Sequence, residues 1–249
     1  MVGFRDGADN EIQPTEKPMM RADSSGRFAR WRAWAREPAL TALLVLELLV
    51  IFVLIPLSGL SVFAARSIQV HLASLVVVAA VALIAPHRAA LIVTLLAAAA
   101  GWVAEAFRYV WPSELSQLVI LLVALGFLFV LTGVIGRVVF GPGRVSAHRV
   151  QGAVVVYLHM ALVFAYLQAM VLFFAPGAFG DGLVATDPTV GGRLLYFSFT
   201  TLTTVGYGDI VPVHPFARSL ANLEAIVGQL YPATLLARLV TLEISSHQE

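Results

Sequence analysis

Residues 203–209 read Thr-Thr-Val-Gly-Tyr-Gly-Asp and lie between two apolar segments of the chain. A bilayer offers no hydrogen-bond partner to a loose backbone, so a polar stretch at this place must line water or bind an ion. If Gly206 and Gly208 adopt positive φ angles, which glycine does without steric cost, successive carbonyls can point the same way. The stretch therefore predicts a ladder of main-chain oxygens, with the Thr204 hydroxyl below it.

This ladder is predicted to coordinate a dehydrated cation. The predicted ion-coordinating residues are Thr204, Val205, Gly206, Tyr207 and Gly208. One ladder covers only one side of an ion, whereas four copies around an axis replace the hydration shell. Because the chain has one such segment and no clear internal repeat, we expect a symmetric homotetramer.

At these residues the chain resembles the potassium channel family. Residues 203–209, the filter segment below, are similar to its selectivity-filter signature without substitution, and residues 196–202 resemble its pore helix. The resemblance covers roughly residues 150–242, the family's pore domain of outer helix, pore helix, filter and inner helix. It implies K⁺ ions bound in the filter, passive K⁺ conduction and no organic cofactor.

Five further residues are predicted to support the filter segment. They are Thr203, Asp209, Tyr196, Phe197 and Glu224, the last of which is described below. We expect Asp209 to brace the filter by hydrogen bonding, although its carboxylate at the outer mouth also attracts cations. The Tyr207 ring is expected to point away from the axis, with Tyr196 and Phe197 packed behind it. The family usually has two tryptophans at those positions, so this departure bears on the stiffness of the filter.

The composition predicts an all-α membrane protein. Of the 249 residues, 59% are hydrophobic and only 12% are charged, which is too apolar for an ordinary soluble domain. Zero cysteines exclude disulfides and thiolate metal sites. The first twenty residues lack the apolar core of a signal peptide, so we expect no cleavage.

Apolar runs and Gly/Pro punctuation divide the chain into six spans and a re-entrant half-helix. The spans are predicted at 39–57, 68–85, 89–107, 115–139, 150–174 and 216–242, with a loop at 175–192 and the half-helix at 193–203. The predicted domains are a disordered cytoplasmic tail (1–26), an interfacial basic helix (27–37), a four-helix sensor-like transmembrane domain (38–140), the pore domain (150–242) and a cytoplasmic tail (243–249). The arginines of 27–37 can alternatively serve only to retain the N-terminus in the cytoplasm.

The basic residues predict the orientation in the bilayer. With six spans, twelve Lys and Arg residues fall on the N-terminal side and four on the other side, which predicts cytoplasmic termini and an outward-facing filter. The twelve are Arg5, Lys17, Arg21, Arg27, Arg30, Arg32, Arg36, Arg88, Arg137, Arg144, Arg149 and Arg238. The resemblance to bacterial six-span channels implies the cell (inner) membrane.

The four spans before the pore resemble a voltage sensor in layout but lack its charges. Residues 115–136 contain no Lys or Arg, and Arg137 stands alone at the cytoplasmic end. Each charge that crosses the field contributes only about 2.3 kcal/mol per 100 mV. In addition, Gly141-Pro142-Gly143 interrupts any helix that connects spans four and five. We therefore predict weak voltage dependence.

The sixth span contains a predicted gating hinge at Gly228 and Pro232. Gly228 lies twenty residues beyond Gly208, the spacing at which similar pores carry a flexible glycine, and Pro232 removes a helical hydrogen bond. The alternative for Gly228 is close packing of a small residue against a neighbouring helix. Gly228→Ala separates the two, since a hinge variant changes open probability.

Glu224 is an intramembrane carboxylate and therefore a functional candidate. If it faces the cavity, four copies concentrate cations and recruit a cytoplasmic blocker such as Mg²⁺ or a polyamine. If it lies behind the half-helix, it is a brace hydrogen-bonded to Ser198 or Thr201, which we favour. Gln229 is a weaker polar neighbour in the same span.

The remaining polar residues of the spans predict structure rather than chemistry. Glu47 is interpreted as a buried brace without an obvious basic partner, and Glu105 and Arg108 as a surface ion pair. The histidines are not at metal-ligand spacings. No nucleophile, base and orienting group occur together, so an enzyme is disfavoured, and no nucleic-acid partner is expected. Two alternatives stay open, a non-selective cation channel and a non-conducting subunit of a heteromeric channel.

Overall fold

The computed structural model describes residues 40–56, 88–141, 147–180, 182–187 and 189–246. The helices in these ranges are α1 (Leu40–Leu54), α2 (Arg88–Val110), α3 (Glu114–Val139), α4 (Ala147–Phe174), α5 (Val190–Leu202) and α6 (Pro215–Ser246). The described chain is all-α, as predicted, apart from one isolated bridge between Phe179 and Pro212. The predicted second span and the predicted segments 1–26 and 27–37 lie outside the described residues.

Three helices of the described chain are long and apolar enough to cross a membrane: Arg88–Val110, Glu114–Val139 and His148–Phe174. They correspond to the predicted spans three, four and five. α1 is apolar but shorter over its described length. α6 has 32 residues, which at 1.5 Å per residue is about 48 Å and exceeds the hydrocarbon thickness. The full six-span topology stays a prediction.

Local sequence explains where several helices begin. Ser113 caps α3: its hydroxyl accepts from the Ser116 amide at 3.2 Å, while the Ser116 hydroxyl accepts from the Ser113 amide at 3.0 Å. This reciprocal pair satisfies two of the amides that a helix N-terminus leaves free. α6 begins at Pro215, whose missing N–H costs nothing in the first turn.

The half-helix begins earlier than predicted. α5 starts at Val190, so the last three residues of the predicted loop 175–192 are helical. The Asp187 carboxylate accepts from the Thr189 amide at 2.7 Å and from its hydroxyl at 2.8 Å, which closes a turn directly before the helix. These hydrogen bonds, the one from the amide first, hold the pKa of Asp187 below its ordinary value. α5 ends at Leu202, one residue before the predicted end, with Thr203 as its C-cap.

Two other boundaries differ from the predicted ones, and α1 contains an unpredicted irregularity. α4 begins at Ala147 rather than at Val150, and α6 continues to Ser246 rather than ending near 242. Within α1, Val50–Leu54 is π-helical. An apolar run gives no signal for such a segment, because hydropathy does not distinguish the i→i+5 pattern from the α-helical one.

α1 and α3 pack on α4 of the same chain. Gly152 of α4 permits the close approach, because a Cβ at this position lies only 2.6 Å from Val139 Cγ2 and 3.3 Å from Leu40 Cδ2. The buried cluster between these helices consists of Leu40, Leu43, Leu131, Val134, Ile135, Val139, Ala153, Val155 and Val156. Within the described residues, α1 and α3 therefore pack on α4 of their own chain.

α5 is held on two sides, by α4 and by α6. A second buried cluster joins the end of α4, the loop before α5, α5 and the start of α6: Leu172, Ala178, Phe179, Leu183, Leu194, Phe197, Ile210 and Ala217. Near the other end of α5, Leu202 is fully buried with Ala161 and Phe164 of α4. The filter segment therefore starts from a helix that is fixed at both ends.

Candidate functional site

The filter segment leaves the C-terminus of α5 with an alternating backbone conformation. Thr204, Gly206 and Gly208 have φ angles of 59°, 55° and 79°, while Val205 and Tyr207 between them do not have positive φ. The predicted left-handed conformation of the two glycines is thus confirmed. Residues that alternate in handedness turn successive carbonyls toward one side of the strand, which is the arrangement that a ladder of oxygen ligands needs.

The positive φ of Thr204 was not predicted. A β-branched residue in this region is a backbone outlier that costs about 1–3 kcal/mol. Its amide donates to the Thr201 carbonyl at 3.0 Å, its hydroxyl donates to the Thr203 carbonyl at 2.7 Å, and the Gln229 amide donates to that hydroxyl at 2.9 Å. These three contacts hold a conformation that the residue alone disfavours.

The last carbonyls of α5 serve as anchors for the filter segment. Beside the Thr204 bond to Thr201, the Gly206 amide donates to the Thr200 carbonyl at 3.1 Å. The Thr203 hydroxyl donates to the Phe199 carbonyl at 2.6 Å. Carbonyls at a helix C-terminus otherwise lack partners, so these bonds stabilise the helix and the segment together.

The outer end of the filter segment is also attached. The Gly180 amide donates to the Val211 carbonyl at 2.9 Å, and the Val213 amide donates to the Ala178 carbonyl at 2.8 Å. These bonds pair the loop before α5 with the strand-like residues after the filter. The filter segment is therefore fixed at its base by α5 and beyond its exit by the preceding loop.

In the single chain, the filter segment is exposed on one side. Val205 is 53% exposed and Tyr207 is 72% exposed. Within the single chain, no described residue covers these two side chains on that side.

Tyr196 supports the filter segment from α5. Its ring stacks on the Tyr207 ring with centroids 6.2 Å apart and an interplanar angle of 2°. Its hydroxyl donates to the Asp209 carboxylate. A hydrogen bond of this kind is what the predicted role of Asp209 as a brace of the filter segment requires.

Phe197 lies on another face of α5. Its ring packs edge-on against Phe179 at 5.5 Å and is buried with the loop before α5. Consecutive residues of a helix point about 100° apart, so both positions cannot face Tyr207 of the same chain. The predicted role of Phe197 as a filter support stays a prediction.

Glu224 is fully buried against α5. The Ser198 hydroxyl is hydrogen-bonded to the Glu224 carboxyl and lies 2.6 Å from the Ala161 carbonyl of α4. Thr201, the other partner considered, donates instead to the Phe197 carbonyl at 2.8 Å. Glu224 therefore joins α6, α5 and α4 at one point, which is the contact that the bracing alternative describes.

Gly228 is in direct contact with the end of α5. A Cβ at this position lies 1.9 Å from the Leu202 carbonyl oxygen and 2.7 Å from its carbon. The Tyr157 hydroxyl of α4 donates to the same oxygen at 3.3 Å. This is the close packing considered as the alternative for Gly228. Pro232 lies inside the continuous α6. The role of Gly228 and Pro232 as a gating hinge stays a prediction.

A buried polar cluster connects α1, α3 and α4 away from the filter segment. His159 Nε2 lies 3.1 Å from Glu47 Oε1, and His159 Nδ1 lies 3.3 Å from the Thr132 hydroxyl. Glu47 and His159 are only 6% and 3% exposed. The sequence did not identify His159 as the partner of Glu47, because 112 positions separate the two residues. A histidine in the middle of an apolar span was the one available sign of a buried polar contact. As predicted, Glu105 and Arg108 of α2 form an ion pair, at 2.6 Å.

The C-terminus of α3 is held by one arginine of α6 and one arginine of α4. Arg238 Nη2 of α6 donates to the Phe140 carbonyl at 2.7 Å, and its guanidinium lies 5.3 Å from the Phe140 ring centroid. Arg149 of α4 donates to the Gly141 carbonyl at 3.1 Å. From the sequence alone, both arginines contributed only to the predicted orientation of the chain in the bilayer.

Comparisons with known proteins agree with this geometry. Residues 153–244 match a family model described as "Ion channel". The chain is 34% identical over 99 residues to "Two pore potassium channel c" of Oryza sativa subsp. japonica, covering 38% of this chain and 21% of the relative. It is 38% identical over 66 residues to "Inward rectifier potassium channel Kirbac3.1" of Paramagnetospirillum magnetotacticum, covering 26% and 22%. The chain thus matches about a fifth of the length of these curated relatives.

Proposed function

We propose that this chain, in which residues 153–244 form an ion-channel domain of the potassium-channel type, conducts K⁺ passively down its gradient. The observation that carries the proposal is the alternating backbone of the exposed filter segment, with φ angles of 59°, 55° and 79° at Thr204, Gly206 and Gly208. Main-chain oxygens in this arrangement replace the hydration shell of K⁺, and Thr204, Val205, Gly206, Tyr207 and Gly208 are the proposed ligands.

The proposed pore is a homotetramer in the cell (inner) membrane. Each chain supplies one filter segment and therefore one quarter of the oxygens around the ion. The exposed Val205 and Tyr207 side chains support this assembly, because neighbouring copies bury them. The charge distribution supports cytoplasmic termini and a filter that opens outward.

Selectivity is proposed to depend on how firmly the filter segment is held. Thr203 and Asp209 fix its two ends, and Tyr196 stacks on its tyrosine. The C-terminus of α5 points its partial negative charge toward the base of the segment, which favours a cation there.

The proposal includes weak voltage dependence and no blocker site at Glu224. α3 carries a single arginine near its C-terminus, Arg137. The free energy gained when one charge crosses the membrane field is too small for steep voltage-dependent gating. Glu224 is buried against Ser198 rather than exposed to a cavity, so it does not attract Mg²⁺ or a polyamine there. A channel of this kind performs no covalent chemistry and is not an enzyme.

K⁺ flux into liposomes that contain the purified protein tests the proposal. We expect Ba²⁺-sensitive K⁺ flux, a reversal potential that follows the K⁺ gradient in mixed Na⁺/K⁺ solutions, and a tetrameric mass in detergent. Equal Na⁺ and K⁺ permeability indicates the non-selective alternative. Absence of flux from correctly folded protein overturns the proposal.

A matched pair of glycine variants separates filter geometry from general damage. Gly206 and Gly177 both have positive φ, and a Cβ at either meets nothing within 4 Å. Gly206→Ala is expected to abolish K⁺ flux because it disturbs the carbonyl ladder. Gly177→Ala, in the loop after α4, also places alanine at a positive φ angle. This variant is nevertheless expected to keep its K⁺ flux, because the substitution lies outside the filter segment.

A further inference from the structure

Gln229 extends from α6 to the base of the filter segment. Its side-chain nitrogen lies 2.9 Å from the Thr204 hydroxyl oxygen, across 25 positions of sequence. The preceding residue, Gly228, brings α6 into contact with the last carbonyl of α5. The position of Gln229 beside Thr204 is therefore fixed by the packing of two helices.

The hydrogens of this contact can be assigned by counting. A threonine hydroxyl has one hydrogen and two acceptor lone pairs. The Thr204 hydroxyl donates its hydrogen to the Thr203 carbonyl at 2.7 Å. It can therefore only accept from Gln229, so the amide nitrogen, and not the amide oxygen, faces Thr204. One lone pair of the hydroxyl remains.

We propose that Gln229 is a positioning residue for the cation site at the inner end of the filter, where it fixes the Thr204 hydroxyl so that its remaining lone pair is available to the ion. The inference rests on the proposed function, since it assigns Gln229 to the same pore. Without the amide, the hydroxyl rotates among several orientations, and an arriving cation must select one. A ligand held in advance binds more tightly than one that the ion itself must order.

Block by Ba²⁺ is the direct measure of this site, because Ba²⁺ is close to K⁺ in size and dissociates slowly. Single channels are recorded in planar bilayers, with Ba²⁺ added on the side of the α6 C-terminus. Gln229→Met keeps the length of the side chain and removes the donor. We expect its half-blocking concentration to rise about threefold to about tenfold, as for the loss of one ordinary hydrogen bond.

A double-mutant cycle shows whether the effect passes through Thr204. In a Thr204→Ala background the hydroxyl is absent, so Gln229→Met is expected to cause no further change in Ba²⁺ block. In a Thr204→Ser background the hydroxyl is present, and the shift is expected to return. A general structural effect of Gln229 changes block equally in all backgrounds and overturns the inference.

Thr234→Val is the matched control. Thr234 is also exposed on α6, but its hydroxyl donates to carbonyls of its own helix, Leu230 at 2.8 Å and Tyr231 at 3.0 Å. Its removal is expected to leave Ba²⁺ block unchanged. If Gln229→Met fails to assemble, Gln229→Leu replaces it in every arm.

The outcomes separate this inference from the proposed function. If the wild-type protein carries K⁺ current but Gln229→Met leaves Ba²⁺ block unchanged or tightens it, only the inference is wrong. If the wild-type protein carries no K⁺ current, the proposed function fails, and the inference fails with it.

Discussion

The Ser198 hydroxyl is hydrogen-bonded to the Glu224 carboxyl across the α5–α6 interface, and both side chains are 0% exposed. Ser198 also lies 2.6 Å from the Ala161 carbonyl, yet it has only one hydrogen to donate. A protonated Glu224 satisfies both contacts, because it donates to Ser198 while Ser198 donates to Ala161. We therefore predict that Glu224 is a neutral carboxylic acid in this brace.

We predict that Glu224→Gln retains the tetramer and its K⁺ flux, whereas Glu224→Leu does not. The glutamine amide can still donate to Ser198, but leucine leaves the buried hydroxyl without this partner, at a cost of about 1–3 kcal/mol. Thermal unfolding in detergent and liposome flux measure the difference. Asn222→Leu, at an exposed position of the same helix, is the control. Equal damage from the glutamine and leucine variants contradicts a neutral brace.

Gly228→Ala is predicted to prevent normal packing of α6 on α5. The new Cβ lies 1.9 Å from the Leu202 carbonyl oxygen, and a backbone atom at the end of a buried helix cannot move away freely. We expect a loss of stability of about 1–3 kcal/mol, as for other overpacked sites, together with reduced K⁺ flux. Thermal unfolding and flux provide the measurement.

Gly126→Ala is the control for this experiment, because a Cβ at Gly126 in α3 meets nothing within 4 Å. Alanine in a helix is there expected to be neutral or to stabilise by up to about 1 kcal/mol. A Gly228→Ala channel with wild-type stability and unchanged open probability contradicts both the packing role and the hinge prediction.

The buried pair of Glu47 and His159 is predicted to couple α1 to α4. Glu47→Leu or His159→Leu alone leaves one polar group unpaired inside the protein, and each is expected to lower the free energy of unfolding by about 1–3 kcal/mol. The double variant is expected to be more stable than the sum of the single effects predicts, since neither polar group remains. Thermal unfolding gives the coupling energy, and simple additivity argues against the pair.

Arg238→Lys is predicted to weaken the contact between the end of α3 and α6. Lysine keeps the charge but lacks the planar group that lies over the Phe140 ring while donating to the Phe140 carbonyl. We expect a loss of about 1 kcal/mol in thermal stability and a changed open probability in bilayer recordings. Arg137→Lys, at an exposed position of α3, is the control. Identical behaviour of the two lysine variants contradicts the assignment.

Local sequence rules were sufficient for the glycines of the filter but not for Thr204. Gly206 and Gly208 adopt positive φ at little cost, so their conformation follows from residue type. Thr204 adopts it only because a side chain from another helix, Gln229, and two neighbouring carbonyls hold it. Conformations of this kind depend on tertiary contacts that no window of sequence contains.

The helical spans were predictable from apolar length and the Ser198–Glu224 contact from the buried carboxylate, whereas the pairing of Glu47 with His159 was not. Spans three to five were recovered within a few residues, because hydropathy alone limits where a chain can cross a bilayer. The pairing of Glu47 with His159 depends on the rotation and depth of two helices relative to each other. The early start of α5 at Val190 depends on the turn that Asp187 forms.

The short link between α3 and α4 has a consequence for how the subunits combine. Only residues 140–146 separate these helices, and both pack in the same chain on α1. In the proposed tetramer, each chain therefore carries α1 and α3 on its own α4 and does not depend on those helices of its neighbours. Co-expressed wild-type and silent subunits should therefore mix by binomial statistics, and the surviving current should fall with the fourth power of the wild-type fraction if a single silent subunit is enough to close the pore.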